Sequence, residues 1–305
     1  MTADTDVAIV GAGAAGLATA IFLRRAAPSL RVAVFDTARQ PGAKIIVSGG
    51  GRCNVTNAIV TEADFWGGTR AFIRRVLRAL PVNDTVAFFD GLGVPLREEA
   101  GGKLFPVSNR SRDVSGALLA ELQRSGAVLH TASRVNRLSG LDAGFELNTT
   151  AGVARARRVV LATGGLSLPK TGSDGGGYTL AVALGHSIVP TTPALAPLMV
   201  QEPGAVHAGL SGVSVDAVIT VRAGGAVAVR LAGSLLWTHF GVSGPVALNA
   251  SRHWERAALE GHDPSLTVDL TGLSFEGFDA HVRSAAAERP RSTVQNTVAG
   301  LVPAS

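Results

Sequence analysis

Cysteine is almost missing from this 305-residue sequence: Cys53 is the single one, which excludes an internal disulfide, a dithiol redox pair and a multi-cysteine metal site. The histidines His130, His186, His207, His253, His262 and His281 are too scattered to suggest a metal centre, so no metal is expected. Charged residues are sparse at 17%, but 46% of residues are hydrophobic and 37 are glycine, a composition that excludes a disordered chain and points to a compact protein rich in turns. No uninterrupted apolar run reaches the roughly 18 to 20 residues a membrane helix needs, and Asp4 and Asp6 stand where a secretory leader would be basic. The expected location is therefore the cytoplasm, with no membrane partner. The net charge of +5 is spread over mostly solitary or paired arginines, with local groups only at Arg70 to Arg78 and Arg155 to Arg158. That distribution suits small anionic ligands, a nucleotide cofactor included, better than a nucleic-acid partner. It leaves the oligomeric state open.

What the sequence has in strength is its opening run, Val7-Ala8-Ile9-Val10-Gly11-Ala12-Gly13-Ala14-Ala15-Gly16-Leu17, followed by Arg31-Val32-Ala33-Val34-Phe35-Asp36. Val7 to Val10 have the apolar, β-branched character of a strand buried on both faces of a parallel sheet. Gly11 permits a sharp turn out of that strand, Gly13 lets backbone N–H groups approach a diphosphate, and Gly16 lets the following helix lie close to the sheet. The N-terminus of that helix, at Ala14 and Ala15, faces an anion with unpaired N–H groups and its positive dipole end. Asp36, with Thr37 beside it, falls at the end of the second strand, where a ribose hydroxyl needs an acceptor. Strand, glycines, helix and acid together point to a dinucleotide site. A membrane anchor over Val7 to Leu23 is excluded by the three interrupting glycines and the strand and acid that follow.

A second glycine-rich stretch runs Gln40-Pro41-Gly42-Ala43-Lys44, then Ile45 to Val47, then Ser48-Gly49-Gly50-Gly51-Arg52-Cys53-Asn54-Val55-Thr56-Asn57. From Ser48 it reads as a loop whose backbone can press against a flat or phosphorylated ligand, with Lys44 and Arg52 offering charge and Asn54 and Asn57 offering amides. A plain surface loop would use the same residues. Helices are expected over Ala71 to Leu80 and Val82 to Leu92, the second capped by Asn83 or Asp84, and over Ser115 to Arg124. Short strands are expected at Val128 to Thr131, Val135 to Leu138, Phe145 to Thr149 and Ala154 to Arg158, and another at Val159 to Thr163. That last strand ends in Gly164-Gly165, where an open α/β sheet places its ligands. Asp174 is a capping residue for the helix that ends at Gly185.

The segment Lys44 to Asn57, in register behind Gly11-x-Gly13-x-x-Gly16, resembles the signature of the BaiN-like (YhiN-like) family of FAD-dependent oxidoreductases, also called the aminoacetone oxidase family. Phe105 to Ser108 with Asp113-Val114 resembles its helical region. Val160 to Ser173 resembles its second glycine motif, and Thr238-His239-Phe240-Gly241-x-Ser243-Gly244-Pro245 its insert-domain motif. The resemblance implies an α/β fold: a Rossmann-like FAD-binding domain, parallel sheet with β-meander, over 1–190, and an insert domain over 191–305. The insert domain is expected to be β-barrel-like over 191–272, with strands such as Val213 to Val215, Val218 to Val221 and Val227 to Leu231. It is expected to be helical over 273–305, at Phe278 to Ala287 and Ser292 to Val302.

FAD is the implied cofactor, with NAD(P)H as electron donor and hydride transfer to a carbon–carbon double bond of a small organic substrate. Gly11, Gly13, Gly16 and Asp36 would hold the AMP half and diphosphate, with the Val135 backbone near the adenine. Lys44, Ser48, Gly49, Gly50, Gly51, Arg52, Cys53 and Asn54 would line the flavin side, with Thr163, Gly164 and Gly165 opposite. His239 is the candidate acid–base residue, because imidazole titrates near neutral pH. Family members return to the cofactor domain with a final strand that nothing between Pro290 and Ser305 supplies. That departure keeps in view a nucleotide-binding module without turnover; the resemblance also allows oxidation of a small amine by oxygen, and the basic balance allows a tRNA-associated flavoprotein.

Overall fold

The computed structural model describes residues 4–200 and 206–301. Two compact units divide the chain, Met1–Ile188 and Val189–Ser305. The first opens with β1 (Thr5–Val10), α1 (Ala14–Ala26) and β2 (Val32–Phe35), and β1 pairs in parallel with β2 from Val7 opposite Val32 to Val10 opposite Phe35. Every residue of β2 is buried, which is why its sequence is apolar throughout instead of alternating. Next, α2 (Ala43–Gly51) is broken at Ser48, Gly49 and Gly50, the first extended and the two glycines left-handed. The loop expected from Ser48 onward therefore begins inside an element, after one helical turn built by Ala43 to Val47.

The chain continues with β3 (Thr56–Asn57), α3 (Arg70–Ala79), α4 (Val82–Gly91), β4 (Leu96–Glu99), β5 (Lys103–Pro106) and α5 (Ser111–Arg124). β3, β5 and β4 form a small antiparallel sheet. Phe105 and Pro106 thus lie in a strand and not in a helical region; Pro106 lacks the N–H that a helix interior needs, and a strand end tolerates it. Asn83 and Asp84 do not cap α4. Pro81 occupies the cap position at φ −62°, already the value a helix start requires, while at α3 the Thr69 hydroxyl accepts the Phe72 N–H at 3.3 Å.

The first unit ends with β6 (Val128–His130), β7 (Val135–Leu141), β8 (Gly144–Thr149), β9 (Gly152–Leu161) and α6 (Gly176–Ala183), and its sheet runs in the order β6-β2-β1-β9-β8-β7. The two strands expected at Ala154 to Arg158 and Val159 to Thr163 are one strand. No glycine, proline or turn former separates Arg158 from Val159, so β9 runs on. Its first half pairs antiparallel with β8, and its second half pairs in parallel with β1 from Ala156 to Leu161. One face of the sheet packs Val7, Ile9, Val32 and Val34 against α1 and α5, and the other packs Ala8, Val10, Ala33 and Phe35 against Leu138, Leu147 and Leu180. Ile9, Leu17 and Ile21 are wholly buried, each contributing about 1.5–3 kcal/mol by removal from water.

The second unit contains β10 (Leu198–Met199), β11 (Ser214–Ala223), β12 (Ala226–Thr238), β13 (Gly241–Ser243), α7 (Gly244–Leu259), β14 (Ser265–Asp269), α8 (Phe275–Glu288) and α9 (Val294–Ala299). Its antiparallel sheet, in the order β10-β13-β12-β11-β14, is open, with β10 and β14 at the edges. The separate runs expected at Val213 to Val215 and Val218 to Val221 join, from Ser214 onward, in β11, whose alternate residues Val215, Ala217, Ile219 and Val221 are all buried. α7 has no counterpart among the helices expected from the sequence, although Val246, Ala247, Ala250 and Ala257 carry its three- and four-residue spacing, and Val246, Ala247 and Ala250 fill the core over β11 and β12. Val302, the expected end of the last helix, lies outside the described residues.

Candidate functional site

A cleft of about 840 Å³ opens at the carboxyl ends of β1, β2 and β9, lined by described residues of the first unit. At its centre β1 passes into α1 through a turn made possible by two missing side chains. Gly11 has φ +104°, and a Cβ there would overlap Ala162 O; a Cβ on Gly16 would overlap Gly11 O. Those two glycines seat the helix on the turn. Gly13 differs from both, because a Cβ there would meet no atom within 4 Å: the space it leaves open belongs to the cleft. Gly13 is also the N-cap of α1, with no side-chain cap and no acid in the first turn, so the amides of Gly13, Ala14 and Ala15 are left for a ligand. This arrangement fits a diphosphate.

Asp36 lies at the cleft with its carboxylate fixed in direction. Its Oδ2 accepts the Ala12 N–H at 2.6 Å, and its Oδ1 accepts the Ala38 N–H at 2.8 Å. Thr37, Ser133, Arg134 and Val135 continue this end of the lining. Lys44, Ser48, Cys53 and Asn54 come in from α2 and the turn after it, and Thr163 and Gly164 from the end of β9. Lys44 Nζ donates to Ser167 Oγ at 3.0 Å, and both Lys44 and Ser173 crowd the space where Gly164, at φ +75°, lacks a Cβ. Cys53 is buried in a left-handed conformation (φ +63°), and burial pushes its thiol pKa up against a smaller opposing pull from the Ser48 hydroxyl. A neutral, enclosed thiol is a poor nucleophile.

Other residues singled out from the sequence are not in the lining. Gly16 is under the turn. Gly50 and Gly51 are exposed with no atom near their missing side chains, whereas Gly49, at φ +55°, lies close against Asn54 and Phe105. Arg52 is turned away: its guanidinium lies 4.1 Å from the centre of the Phe105 ring and 2.9 Å from Glu99, holding the Glu99 carboxyl below its usual range. Gly165 is close to the Tyr178 hydroxyl. His239 belongs to the second unit, exposed in the turn between β12 and β13 with its ring edge-on to Phe240 at 5.0 Å. Conversely, Phe88, Phe89, Arg134 and Tyr178 line the cleft without having stood out as ligand residues. Phe88 and Phe89 carried only a helix-core pattern, and Arg134 gave no local signal. Tyr178 did give one, as an aromatic closing a glycine loop before a helix. Among the described residues no group of histidines, cysteines and acids is arranged to hold a metal, and no helix is long and apolar enough to cross a membrane.

Residues 5–275 match the family described as HI0933-like protein Rossmann domain. The 3-dehydro-bile acid delta(4,6)-reductase of Clostridium scindens is 31% identical over 302 residues, covering 97% of this chain and 72% of that protein. The ribosomal RNA dihydrouridine synthase of Escherichia coli is 30% identical over 299 residues, covering 98% of this chain and 71% of that one. Among solved structures, the open conformation of a flavocytochrome c3 fumarate reductase aligns with 70% of this chain and 47% of its own at 19% identity and a TM-score of 0.44.

Proposed function

The chain belongs to the HI0933-like Rossmann-domain family of FAD-dependent oxidoreductases, and from that premise we propose that it reduces a carbon–carbon double bond conjugated to a carbonyl, with NAD(P)H as the source of electrons. The observation that carries this reading is the shared chemistry of the two relatives' names. The names of a delta(4,6)-reductase and a dihydrouridine synthase both describe adding two hydrogens across a carbon–carbon double bond, in the second case that of a uracil ring. In such a reaction a hydride reaches the carbon β to the carbonyl and a proton reaches the α carbon. A bound FAD supplies the two-electron relay between nicotinamide and substrate.

In this reading the amides of Gly13, Ala14 and Ala15 bind the diphosphate, with Gly11 and Gly16 shaping the turn. Asp36 and Thr37 hold the ribose, and the Val135 backbone faces the adenine. Lys44, Ser48, Cys53, Asn54, Thr163 and Gly164 form the flavin end. Gly49 to Gly51 and Gly165 set the backbone path around that end, and Arg52 braces α2 against β4 and β5 through Glu99 and Phe105. His239 is the proposed imidazole for substrate contact.

The test is anaerobic: FAD-loaded protein is mixed with NADPH or NADH, then with a conjugated enone. Bleaching of the flavin, its recovery on adding the enone and a product two hydrogens heavier support the proposal. Bleaching by a small amine and recovery only with oxygen would move the assignment to amine oxidation, and a protein that binds ADP without any flavin turnover would make it a binding module.

A second reading, RNA as the substrate, is favoured by the name of the Escherichia coli relative together with α3. Arg70, Arg74, Arg75 and Arg78 fall on one arc of that helix and are all exposed. Its signature is RNA affinity that falls steeply with salt, by a slope that Arg75→Ala and Arg78→Ala reduce.

A further inference from the structure

The cleft is bounded at its Asp36 end by two segments far apart in sequence, and one ion pair joins them. Arg134 lies between β6 and β7, its backbone held by Thr150: the Arg134 N–H donates to Thr150 Oγ1 at 3.0 Å, and the Thr150 N–H donates to Arg134 O at 2.9 Å. Its Nη1 donates to Asp174 Oδ2 at 2.7 Å, from a residue 40 positions later in the turn before α6. The other carboxylate oxygen, Oδ1, accepts the Gly176 N–H at 3.0 Å, so Asp174 is tied to the start of α6 while it holds the arginine. A Cβ on Gly176 would lie 3.0 Å from Arg134 Nη2 and 3.1 Å from Asp174 Oδ1, so the ion pair closes over bare backbone there. Arg134, Asp174 and Gly176 all line the cleft, beside Ser133 and Val135.

We infer that Arg134, Asp174 and the bare backbone of Gly176 form a clasp at the AMP end of the cleft that slows release of the bound adenine nucleotide. The inference rests on the cofactor reading above and adds to it a pair of positioning residues that touch neither the flavin nor the substrate. The physical logic is that of a bridge between two walls. While the pair is closed, the turn before α6 is tethered to the turn before β7 and the nucleotide between them is confined; when it opens, both turns are free to part. Both side chains are about a third exposed, at 39% and 35%, so the bridge is weak enough to open and is screened by salt. The guanidinium beside Asp174, together with the Gly176 N–H, holds that carboxyl below its usual range, so the clasp stays charged at neutral pH.

The experiment is flavin release from FAD-loaded protein, followed by the rise in flavin fluorescence after dilution, alongside ADP affinity. Arg134→Ala and Asp174→Asn should each speed release about fivefold, the upper range for an exposed pair. Asparagine keeps the capping acceptor, so that variant should melt like the parent. The double variant should be no faster than either single one, Arg134→Lys should recover most of the loss, and Gly176→Ala should speed release with both charges intact. The parent's release should accelerate with salt, and the Arg134→Ala rate should not. Release rates in the variants within about twofold of the parent would overturn the clasp and leave the cofactor reading standing. Failure of the parent to bind FAD or ADP at all would overturn both.

Discussion

Replacing Gly13 by alanine separates what the turn needs in order to fold from what it needs in order to bind. Gly13 sits at φ −78°, ψ −172°, a conformation open to any L-residue, and the added methyl meets no protein atom within 4 Å. Loss of glycine at the cap position costs about 0.5–1 kcal/mol, and the stiffer unfolded chain returns about 0.4–1 kcal/mol. The two nearly cancel, so the melting temperature should move by no more than about 2–4 °C. Binding should respond quite differently. The methyl occupies the space through which a diphosphate reaches the amides of Gly13, Ala14 and Ala15. Losing one charge-assisted hydrogen bond costs about 1.5–3 kcal/mol, or roughly 10- to 150-fold in affinity. The assay pairs a thermal melt with calorimetric titration of ADP and FAD. Gly16→Ala is the contrasting variant: its methyl would overlap Gly11 O, so it should unfold the turn and lose stability and binding together. A Gly13→Ala protein that binds ADP within twofold of the parent would refute the placement of the diphosphate.

Three further outcomes are expected, two from the geometry and one from the proposed role of His239. Cys53 should react with iodoacetamide far more slowly in the folded protein than after unfolding, and only at elevated pH. Because burial raises its pKa in the folded state, its contribution to stability is complete below the unfolded value of about 8.5 and fades as pH climbs above it. Rapid alkylation of the native protein at pH 7 would contradict this. Asp6, hydrogen-bonded to the Arg31 side chain and backbone, should titrate at about 2; its contribution is present above the unfolded value of about 3.9 and is lost as pH falls through about 2. An NMR titration with a midpoint near 3.9 would show that the pair does not hold in solution. For the proposed substrate contact of His239, His239→Gln should leave the flavin spectrum and ADP affinity unchanged while lowering kcat about 10²- to 10⁴-fold, and an unchanged kcat would remove the residue from the chemistry.

The parts of the fold that could be read from the sequence were those whose signals are local. The opening strand, turn and helix are written in one short run, Val7 to Leu17, with Gly16 answering to Gly11 five residues earlier and Asp36 following the next apolar run directly, although the close approach that demands glycine at Gly11 comes from the distant Ala162. The continuity of β9 was harder to see. It depends on one strand changing partners at Ala156, from the meander to the parallel sheet, and only the absence of a breaker at Arg158-Val159 hinted at it. Arg52 illustrates the same limit at the site. A guanidinium beside three glycines suggests a ligand contact, yet its direction is decided by Phe105 and Glu99, some fifty residues later. The Arg134 and Asp174 pair, likewise assembled from distant turns, left no mark in the sequence beyond Asp174's capping role before α6.

The binding site is tested most directly by where an adenine nucleotide lies, which a crystal structure of the protein soaked with ADP measures. The diphosphate is expected within hydrogen-bonding distance of the Gly13 to Ala15 amides, with a ribose hydroxyl on Asp36 and the adenine beside Val135. ADP bound elsewhere, or side chains filling the space in front of Gly13, would contradict it.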